Sequence, residues 1–338
     1  MLTMNSRLRD AKKNEASLQQ LERYTSVKQI NRVFRLFMPF KFKTLYKIAP
    51  ASLKGTVEGM VDFLNGKSNV ITYDDEAAMP LWKENEIPLY NGGIKPFIVP
   101  YLLENKKAPA VLICPGGAYM NVSMQEEGID TAKKFNELGF HAVVLSYRVS
   151  PSRYPCMQLD MIRAIQTMRK NAEEWGIIEN QIIALGYSAG GHLVMSVSGL
   201  HEELRELSGD LTQFDGRPNA IVSGYGMMDL KCSTLGITCD MVFLGDNFTE
   251  EKSKALNIHS LVDESYPPVF FFTMENDNTC PPKTNCMEVE PILKAKGVPC
   301  EMHIYPGAKH GFNLGIGEEA EEWPYKMIEF LKREKVID

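Results

Sequence analysis

Short apolar runs and amphipathic segments alternate along the chain from about residue 95 onward. The apolar runs, rich in branched and aromatic residues, are typical of buried β-strands, and the segments between them repeat apolar residues at helical spacing. The predicted strands are 97–103, 110–113, 142–145, 181–185, 220–223, 269–273 and 300–305. The predicted helices are 127–138, 159–174, 191–197, 283–296 and 319–334. The alternation predicts an α/β fold whose mainly parallel sheet is covered by helices on both faces.

The predicted strand 181–185 runs directly into the segment Gly186-Tyr187-Ser188-Ala189-Gly190 and then into a predicted helix. A serine on a strand-to-helix turn, with glycine two residues away on either side, is typical of a nucleophile elbow. The turn is too tight for side chains at the glycine positions, and it holds the serine hydroxyl above the sheet. The pattern therefore indicates Ser188 as a nucleophile.

A serine hydroxyl is a poor nucleophile at neutral pH, so it needs a base, and the base needs a carboxylate that orients it. On this kind of sheet the chain order is serine, acid, histidine. His303 lies within the last predicted strand, where the alternation makes it a sheet residue. His310 lies in a glycine-bounded loop after that strand, from which it can reach the serine. His310 is therefore the predicted base.

The acid is expected in the loop after the predicted strand 269–273. Both Glu275 and Asp277 lie there, and Asp277 is favoured because it is further into the loop, where it can reach the imidazole. Asp229, after the preceding strand, is a third candidate whose other role is to cap a loop or a helix.

Attack on an ester carbonyl creates an oxyanion that needs fixed backbone N–H donors. One predicted donor is the amide of Ala189, directly after the serine. The other is expected from a glycine-rich loop after an early strand, and the segment Pro115-Gly116-Gly117-Ala118-Tyr119 meets that requirement. Gly117 or Ala118 is the predicted second donor.

Further polar residues lie close to these motifs in the sequence. His192, one turn into the helix after the serine, is interpreted as a structural histidine. Tyr147 and Arg148 follow the strand 142–145 and either line a pocket or brace a loop. Tyr119, Tyr147 and Tyr187 are the residues predicted to contact the substrate.

Composition and charge argue against nucleic-acid binding, a metal site and a membrane span. The net charge of −6 gives no reason to expect a nucleic-acid partner. The seven cysteines are an odd number without metal-type spacing, which favours a reducing compartment and no metal site. The first 30 residues lack the apolar core of a signal peptide, and no apolar run approaches the length of a membrane span. The sequence therefore predicts a cytoplasmic protein.

Residues 1–60 do not follow the alternating pattern. Between Lys28 and Lys54 there are seven basic residues, no acidic residue and several interleaved aromatic residues. This composition is typical either of a basic amphipathic segment on a membrane surface or of a helical extension that packs on the acidic body or on a second subunit. Pro39 interrupts any long helix and favours the second interpretation. We expect an N-terminal helical extension, 1–60, that forms a homo-oligomer, and a separate domain, 61–338.

Several stretches occur together in the order of a known superfamily. They are Pro115–Tyr119, Leu145–Pro151, Gly186–His192, Asp277 with Pro281, and Gly297-Val298-Pro299 leading into His310-Gly311-Phe312. From about residue 75 to 338 the chain resembles the α/β-hydrolase superfamily, and it is similar to its small acetyl esterase and acetyl xylan esterase-like carboxylesterases. It departs from the hormone-sensitive-lipase type, which has His-Gly-Gly-Gly where this chain has Pro115-Gly116-Gly117-Ala118. The resemblance implies an α/β-hydrolase fold, catalytic Ser188, His310 and Asp277, and no cofactor.

The spacing of the strands also bears on the substrate. Only about 45 residues separate the predicted strands 220–223 and 269–273, and no other insertion is long enough for a large lid. A site without a deep cap, together with the resemblance, favours short acyl esters, above all acetyl esters of sugars or oligosaccharides. The alternatives are another serine hydrolase on the same triad, namely a formamidase, a small-lipid carboxylesterase or a peptidase, and a non-catalytic binding protein.

Overall fold

The computed structural model describes residues 77–83, 85–90, 95–234 and 237–338. The predicted extension, 1–60, and the assembly that it was expected to form lie outside the described residues, as does the beginning of the predicted domain 61–338.

An eight-stranded sheet forms the centre of the described part, in the order β1-β2-β4-β3-β5-β6-β9-β10. Its strands are β1 (Met79–Pro80), β2 (Phe97–Tyr101), β3 (Ala108–Cys114), β4 (His141–Ser146), β5 (Ile177–Tyr187), β6 (Ala220–Gly224), β9 (Val269–Met274) and β10 (Cys300–Tyr305). β1 and β2 pair antiparallel with each other and β2 pairs antiparallel with β4, whereas the remaining neighbours are parallel. A separate hairpin joins β7 (Ser233–Thr234) to β8 (Ile237–Thr238).

Helices connect most of these strands. They are α1 (Asp130–Glu137), α2 (Cys156–Lys170), α3 (Ala172–Trp175), α4 (Ala189–Leu204), α5 (Cys239–Leu244), α6 (Glu250–Ala255), α7 (Ile258–Leu261), α8 (Cys286–Ala295) and α9 (Trp323–Arg333). A π-helical turn, Met124–Ile129, precedes α1, and 3₁₀ turns cover Arg205–Ser208, Gly245–Asn247, Pro282–Thr284 and Glu319–Glu322. The predicted α/β class with a mainly parallel sheet is confirmed.

The sheet separates two hydrophobic cores, and strand β5 shows how the sequence supplies both. Because successive residues of a strand point to opposite faces, Ile182 and Ala184 contribute to the core beneath α2, α4 and α8. Ile183, Leu185 and Tyr187 contribute to the core beneath α1 and α9. An uninterrupted apolar strand is thus needed to bury both faces of the sheet.

A local side-chain hydrogen bond divides one of the predicted helices in two. The helix predicted at 159–174 begins earlier, at Cys156, and is divided at Asn171 into α2 and α3. The Asn171 side chain donates to the Thr167 carbonyl at 2.8 Å, and its backbone N–H donates to the same carbonyl. A side chain that satisfies the backbone in this way competes with the continuing helix.

Parallel pairing brings the carboxyl ends of the central strands to one edge of the sheet. Cys114 pairs with Gly186, Tyr187 with Gly224, and Met274 with Tyr305. The loops that follow β3, β5, β6, β9 and β10 therefore meet at this edge, which is where ligands bind in open α/β sheets. Across the described ranges, none of the helices is long and apolar enough to cross a membrane.

Candidate active site

Ser188 lies on the turn between β5 and α4, with φ 52° and ψ −114°. A positive φ is strained for a residue other than glycine, and the flanking glycines make the turn possible. A Cβ on Gly186 would lie 2.1 Å from the Gly190 carbonyl oxygen, and one on Gly190 would lie 1.9 Å from the Cys114 carbonyl oxygen. Only glycine fits at both positions, so the local sequence itself imposes the tight turn of an elbow on Ser188.

A continuous hydrogen-bonded chain leads away from the Ser188 hydroxyl. Nε2 of His310 lies 2.9 Å from Oγ of Ser188, and Nδ1 of His310 lies 2.7 Å from Oδ2 of Asp277. A carboxylate only accepts, so Nδ1 carries the proton and Nε2 is free to accept from the serine. The structure thus brings together all three residues that the sequence singled out for a triad.

Asp277 is held in place by its own loop. Its side chain is fully buried, and Oδ1 accepts the backbone N–H groups of Thr279 (2.8 Å) and Cys280 (3.0 Å). Of the other acids considered, Glu275 is exposed, whereas Asp229 accepts from the Lys231 amide and the Asn257 side chain, as a loop-capping residue does. Neither contacts the imidazole in the structure.

His303 has the sheet position expected for it. Its ring stacks on Phe270 with centroids 5.1 Å apart, and Nε2 lies 2.6 Å from Oε1 of Glu301. It takes no part in the hydrogen-bonded chain at the serine.

The segment Gly116–Tyr119, here called the oxyanion loop after its predicted role, lies against Ser188. A Cβ on Gly116 would lie 2.9 Å from Cβ of Ser188, so this position admits no side chain. Gly117, Ala118 and Tyr119 all have positive φ angles, of 137°, 53° and 58°. Such a turn exposes successive backbone N–H groups on its concave side. The predicted donor roles of Gly117, Ala118 and Ala189 stay predictions.

The sequence and the structure of this chain are similar to those of known proteins. Residues 100–287, more than half of the chain, match the sequence profile of the BD-FAE family. The chain belongs to the BD-FAE family. An acetyl ester-xyloside bifunctional hydrolase from Caldicellulosiruptor lactoaceticus has a similar structure, with a TM-score of 0.70 and 31% sequence identity. The similarity covers 77% of this chain and 97% of that one.

Two curated relatives are longer proteins. An endo-1,4-beta-xylanase B of Butyrivibrio fibrisolvens is 26% identical over 252 residues, which are 72% of this chain and 39% of the relative. An acetylxylan esterase of Xylanibacter ruminicola is 25% identical over 221 residues, 64% of this chain and 44% of the relative. The chain therefore spans less than half the length of these two relatives. The predicted α/β-hydrolase resemblance is confirmed, and the BD-FAE domain is of the carboxylic ester hydrolase class.

The structure corrects the prediction that three tyrosines of the BD-FAE domain contact the substrate. Tyr119, Tyr147 and Tyr187 are all completely buried. Tyr147 donates to the Pro115 carbonyl at 2.6 Å, and the Tyr187 hydroxyl lies 3.0 Å from Oγ1 of Thr131. Tyr187 points to the core beneath α1 because strand alternation turns it away from Ser188. These tyrosines support the site from inside the protein.

Of the two interpretations of Arg148, lining a pocket or stabilising a loop, the structure supports the second. Its guanidinium forms a fully buried pair with Asp160, and it also donates to the Pro88 and Cys156 carbonyls. Trp82 donates to the same carboxylate at 2.8 Å. The pair holds the loop after β4 in place.

His192 is structural, as expected. Nδ1 lies 2.7 Å from the Tyr119 hydroxyl and Nε2 lies 3.0 Å from the Leu256 carbonyl oxygen. Burial lowers the pKa of His192 to about 4, so the ring is neutral at neutral pH. Phe243 of α5 packs on the Tyr119 and His192 rings, with centroid distances of 4.8 and 5.3 Å. Phe243 was not predicted, because the segment after β6 gave no sign of returning to the elbow.

Glu127 and Tyr225 were also not predicted from the sequence. Glu127 is buried in the π-helical turn, and both of its oxygens accept hydrogen bonds, one of them from Tyr225 at 2.7 Å. The one available signal was helical spacing, which places Glu127 on the same face as the buried Met124 and Thr131. A carboxylate on the apolar side of a helix is unusual unless it has partners.

Proposed function

We propose that this chain is a serine esterase that hydrolyses short acyl esters, chiefly acetyl esters of sugars or oligosaccharides. The observation that carries the proposal is the unbroken hydrogen-bonded chain from Ser188 through His310 to the buried Asp277. Membership of the BD-FAE family supports the same reaction class.

The mechanism follows from the direction of these hydrogen bonds. Nε2 of His310 takes the Ser188 proton as Oγ attacks the ester carbonyl, and the negative Asp277 stabilises the imidazolium that forms. The tetrahedral oxyanion is held by backbone N–H groups, for which we propose Ala189 together with Gly117 or Ala118. The imidazolium then gives its proton to the leaving alcohol, which leaves an acyl group on Ser188. Water, deprotonated by the same imidazole, releases the acid and restores the serine.

The preference for a short acyl group rests on how the space beside the elbow is filled. Tyr119, His192 and Phe243 are completely buried and pack on one another, and the His192 backbone N–H donates to the Ser188 carbonyl. A long acyl chain would have to displace these rings, whereas an acetyl group has little volume to place. Sugar esters are proposed because an acetylxylan esterase and an acetyl ester-xyloside bifunctional hydrolase are among the relatives of this chain.

A panel of esters tests both parts of the proposal. The protein should hydrolyse p-nitrophenyl acetate faster than the butyrate and far faster than the octanoate, and it should release acetate from acetylated xylo-, manno- or gluco-oligosaccharides. Ser188→Ala should abolish both activities without unfolding the protein, since the triad acts as a unit. A Ser188→Ala variant with a tenth of the parent activity would refute the mechanism. Faster cleavage of a formamide, a lipid ester or a peptide would support one of the other serine hydrolase activities instead.

Residues 1–60 enter the proposal separately. We propose that this basic and aromatic segment joins subunits of a homo-oligomer, because exposed apolar patches are unusual on a lone protein. Deleting residues 1–60 should lower the mass measured by light scattering and leave ester hydrolysis at Ser188 in place. An unchanged mass would refute this role, and binding of the intact chain alone to anionic liposomes would favour the membrane-surface interpretation. The cytoplasmic location stays a prediction of the sequence.

A further inference from the structure

We propose that Glu127 is a positioning residue for the ester hydrolysis, because its carboxylate joins the oxyanion loop to the loop that carries His310. The proposal rests on the function proposed above. Oε2 of Glu127 accepts the backbone N–H of Gly116 at 2.6 Å, and Oε1 accepts the hydroxyl of Tyr225 at 2.7 Å. Short hydrogen bonds to a carboxylate are stronger than those between neutral groups.

On the side of the oxyanion loop, Glu127 and the nucleophile face the same glycine. A Cβ on Gly116 would lie 2.9 Å from Oε2 of Glu127 and 2.9 Å from Cβ of Ser188. Since the Gly116 amide already donates to Glu127, it is not available to an oxyanion. Its peptide plane is fixed by that bond, and this orients the following amides, those of Gly117 and Ala118, which we propose as donors.

On the other side, Tyr225 connects the Glu127 carboxylate to the loop that carries His310. Its ring meets the His310 ring edge-on, with centroids 5.0 Å apart, and stacks on Tyr187 at 5.5 Å. Its hydroxyl also lies 3.0 Å from Oδ1 of Asn313, three residues after His310. Because the hydroxyl has one proton and faces two acceptors, it donates to the Glu127 carboxylate, which is the stronger acceptor and lies closer. Tyr225 therefore touches the histidine loop at two points.

Besides positioning the two loops, Glu127 carries a negative charge close to His310. The ionisable groups around it are Tyr147, Tyr187, Tyr225, His310 and the exposed Glu126. Burial raises the pKa of the three phenols, which are therefore neutral at every working pH, and it also raises the pKa of Glu127. The two donated hydrogen bonds and the nearby His310 act in the opposite direction and favour the carboxylate. A negative Glu127 in turn favours the protonated imidazole that forms during the reaction.

The test compares Glu127→Gln with Glu126→Gln, which changes an exposed neighbour in the same turn. Glu127→Gln should lower kcat by about 100-fold, the scale of a small misplacement of catalytic groups, with KM little changed. It should also move the acidic limb of the kcat/KM profile to lower pH, because a negative charge that favours protonated His310 is lost. Labelling of Ser188 by a fluorophosphonate should slow in parallel. Glu126→Gln should match the parent protein in all three measurements.

Two further variants separate charge from packing. Glu127→Asp keeps the charge and should restore the acidic limb to the position of the parent protein. Tyr225→Phe keeps the ring contact with His310, so it should lower kcat without moving the acidic limb. If Glu127→Gln does not fold, these two variants decide the matter, and parent-like kcat in both would overturn the proposal.

The outcomes also distinguish this inference from the proposed function. An inactive Ser188→Ala together with a Glu127→Gln variant that behaves like Glu126→Gln would overturn the role of Glu127 alone. An active Ser188→Ala would overturn the serine mechanism, and with it the reaction that Glu127 is proposed to support.

Discussion

Two histidines lie close to Ser188, and their surroundings differ in almost every respect. His310 lies on a loop, its side chain is 17% exposed, and its two nitrogens face a carboxylate and a serine hydroxyl. His192 lies on α4 one turn after Ser188, is completely buried, and faces a phenol and a backbone carbonyl. Burial without a carboxylate partner holds the pKa of His192 down to about 4.

Proximity to Ser188 does not by itself equip a histidine to act as a base. A general base must accept a proton and be stabilised when it becomes charged, which a neighbouring carboxylate provides. His310 has that carboxylate in Asp277, whereas a proton on His192 would be buried between two neutral partners. His192 instead links the oxyanion loop, through Tyr119, to the segment that ends at Leu256.

Replacing each of the two histidines tests the difference between them most directly. His310→Gln should lower kcat by about five to six orders of magnitude, since loss of the base alone disables a serine triad. His192→Gln should lower kcat by only about ten-fold, as expected for a shift in position without loss of the base. Initial rates with p-nitrophenyl acetate measure both. Comparable losses in the two variants would show that His192 takes part in proton transfer.

Replacing the carboxylate behind His310 gives the next largest effect. Asp277→Asn should lower kcat by about 10⁴-fold, because an amide can present a donor to Nδ1 and favours the wrong tautomer. Glu275→Gln, two residues away on the exposed part of the same loop, should change kcat little. Rates for the two variants under identical conditions check this. A larger loss in Glu275→Gln would transfer the orienting role to that residue.

The smallest expected effect is the contribution of His192 to the pH dependence of folding stability. In the unfolded chain a histidine binds a proton below pH of about 6.5, whereas folded His192 stays neutral down to about pH 4. The unfolded state therefore binds more protons in this window, and folding stability falls as the pH falls through it. His192 alone should cost up to about 3 kcal/mol between the two limits. Urea unfolding at pH 7 and pH 4 should show a smaller pH-dependent loss in His192→Gln than in the parent protein, and equal losses would contradict the assignment.

The sequence by itself was enough for features that depend on local sterics or on strand order. The elbow at Ser188 could be predicted because Gly186 and Gly190 stand where any Cβ would collide with the backbone. The positions of Asp277 and His310 could be predicted because parallel strands bring the loops after β9 and β10 to the same edge as the serine. Both features follow from residues that are close in sequence or from the order of strands.

Only the tertiary structure decided which polar side chains face solvent and which face the interior. Tyr187 is adjacent to Ser188 in sequence, yet the packing of α1 and α9 on the other face of the sheet buries it there. Glu127 is separated by 61 positions from Ser188, and it reaches the site only because the turn before α1 packs on the oxyanion loop and on Tyr225. Phe243 likewise returns to the elbow from a segment after β6. Helical spacing could place Glu127 on a buried face, but the partners of these side chains depend on how distant segments pack, which local spacing and propensity do not specify.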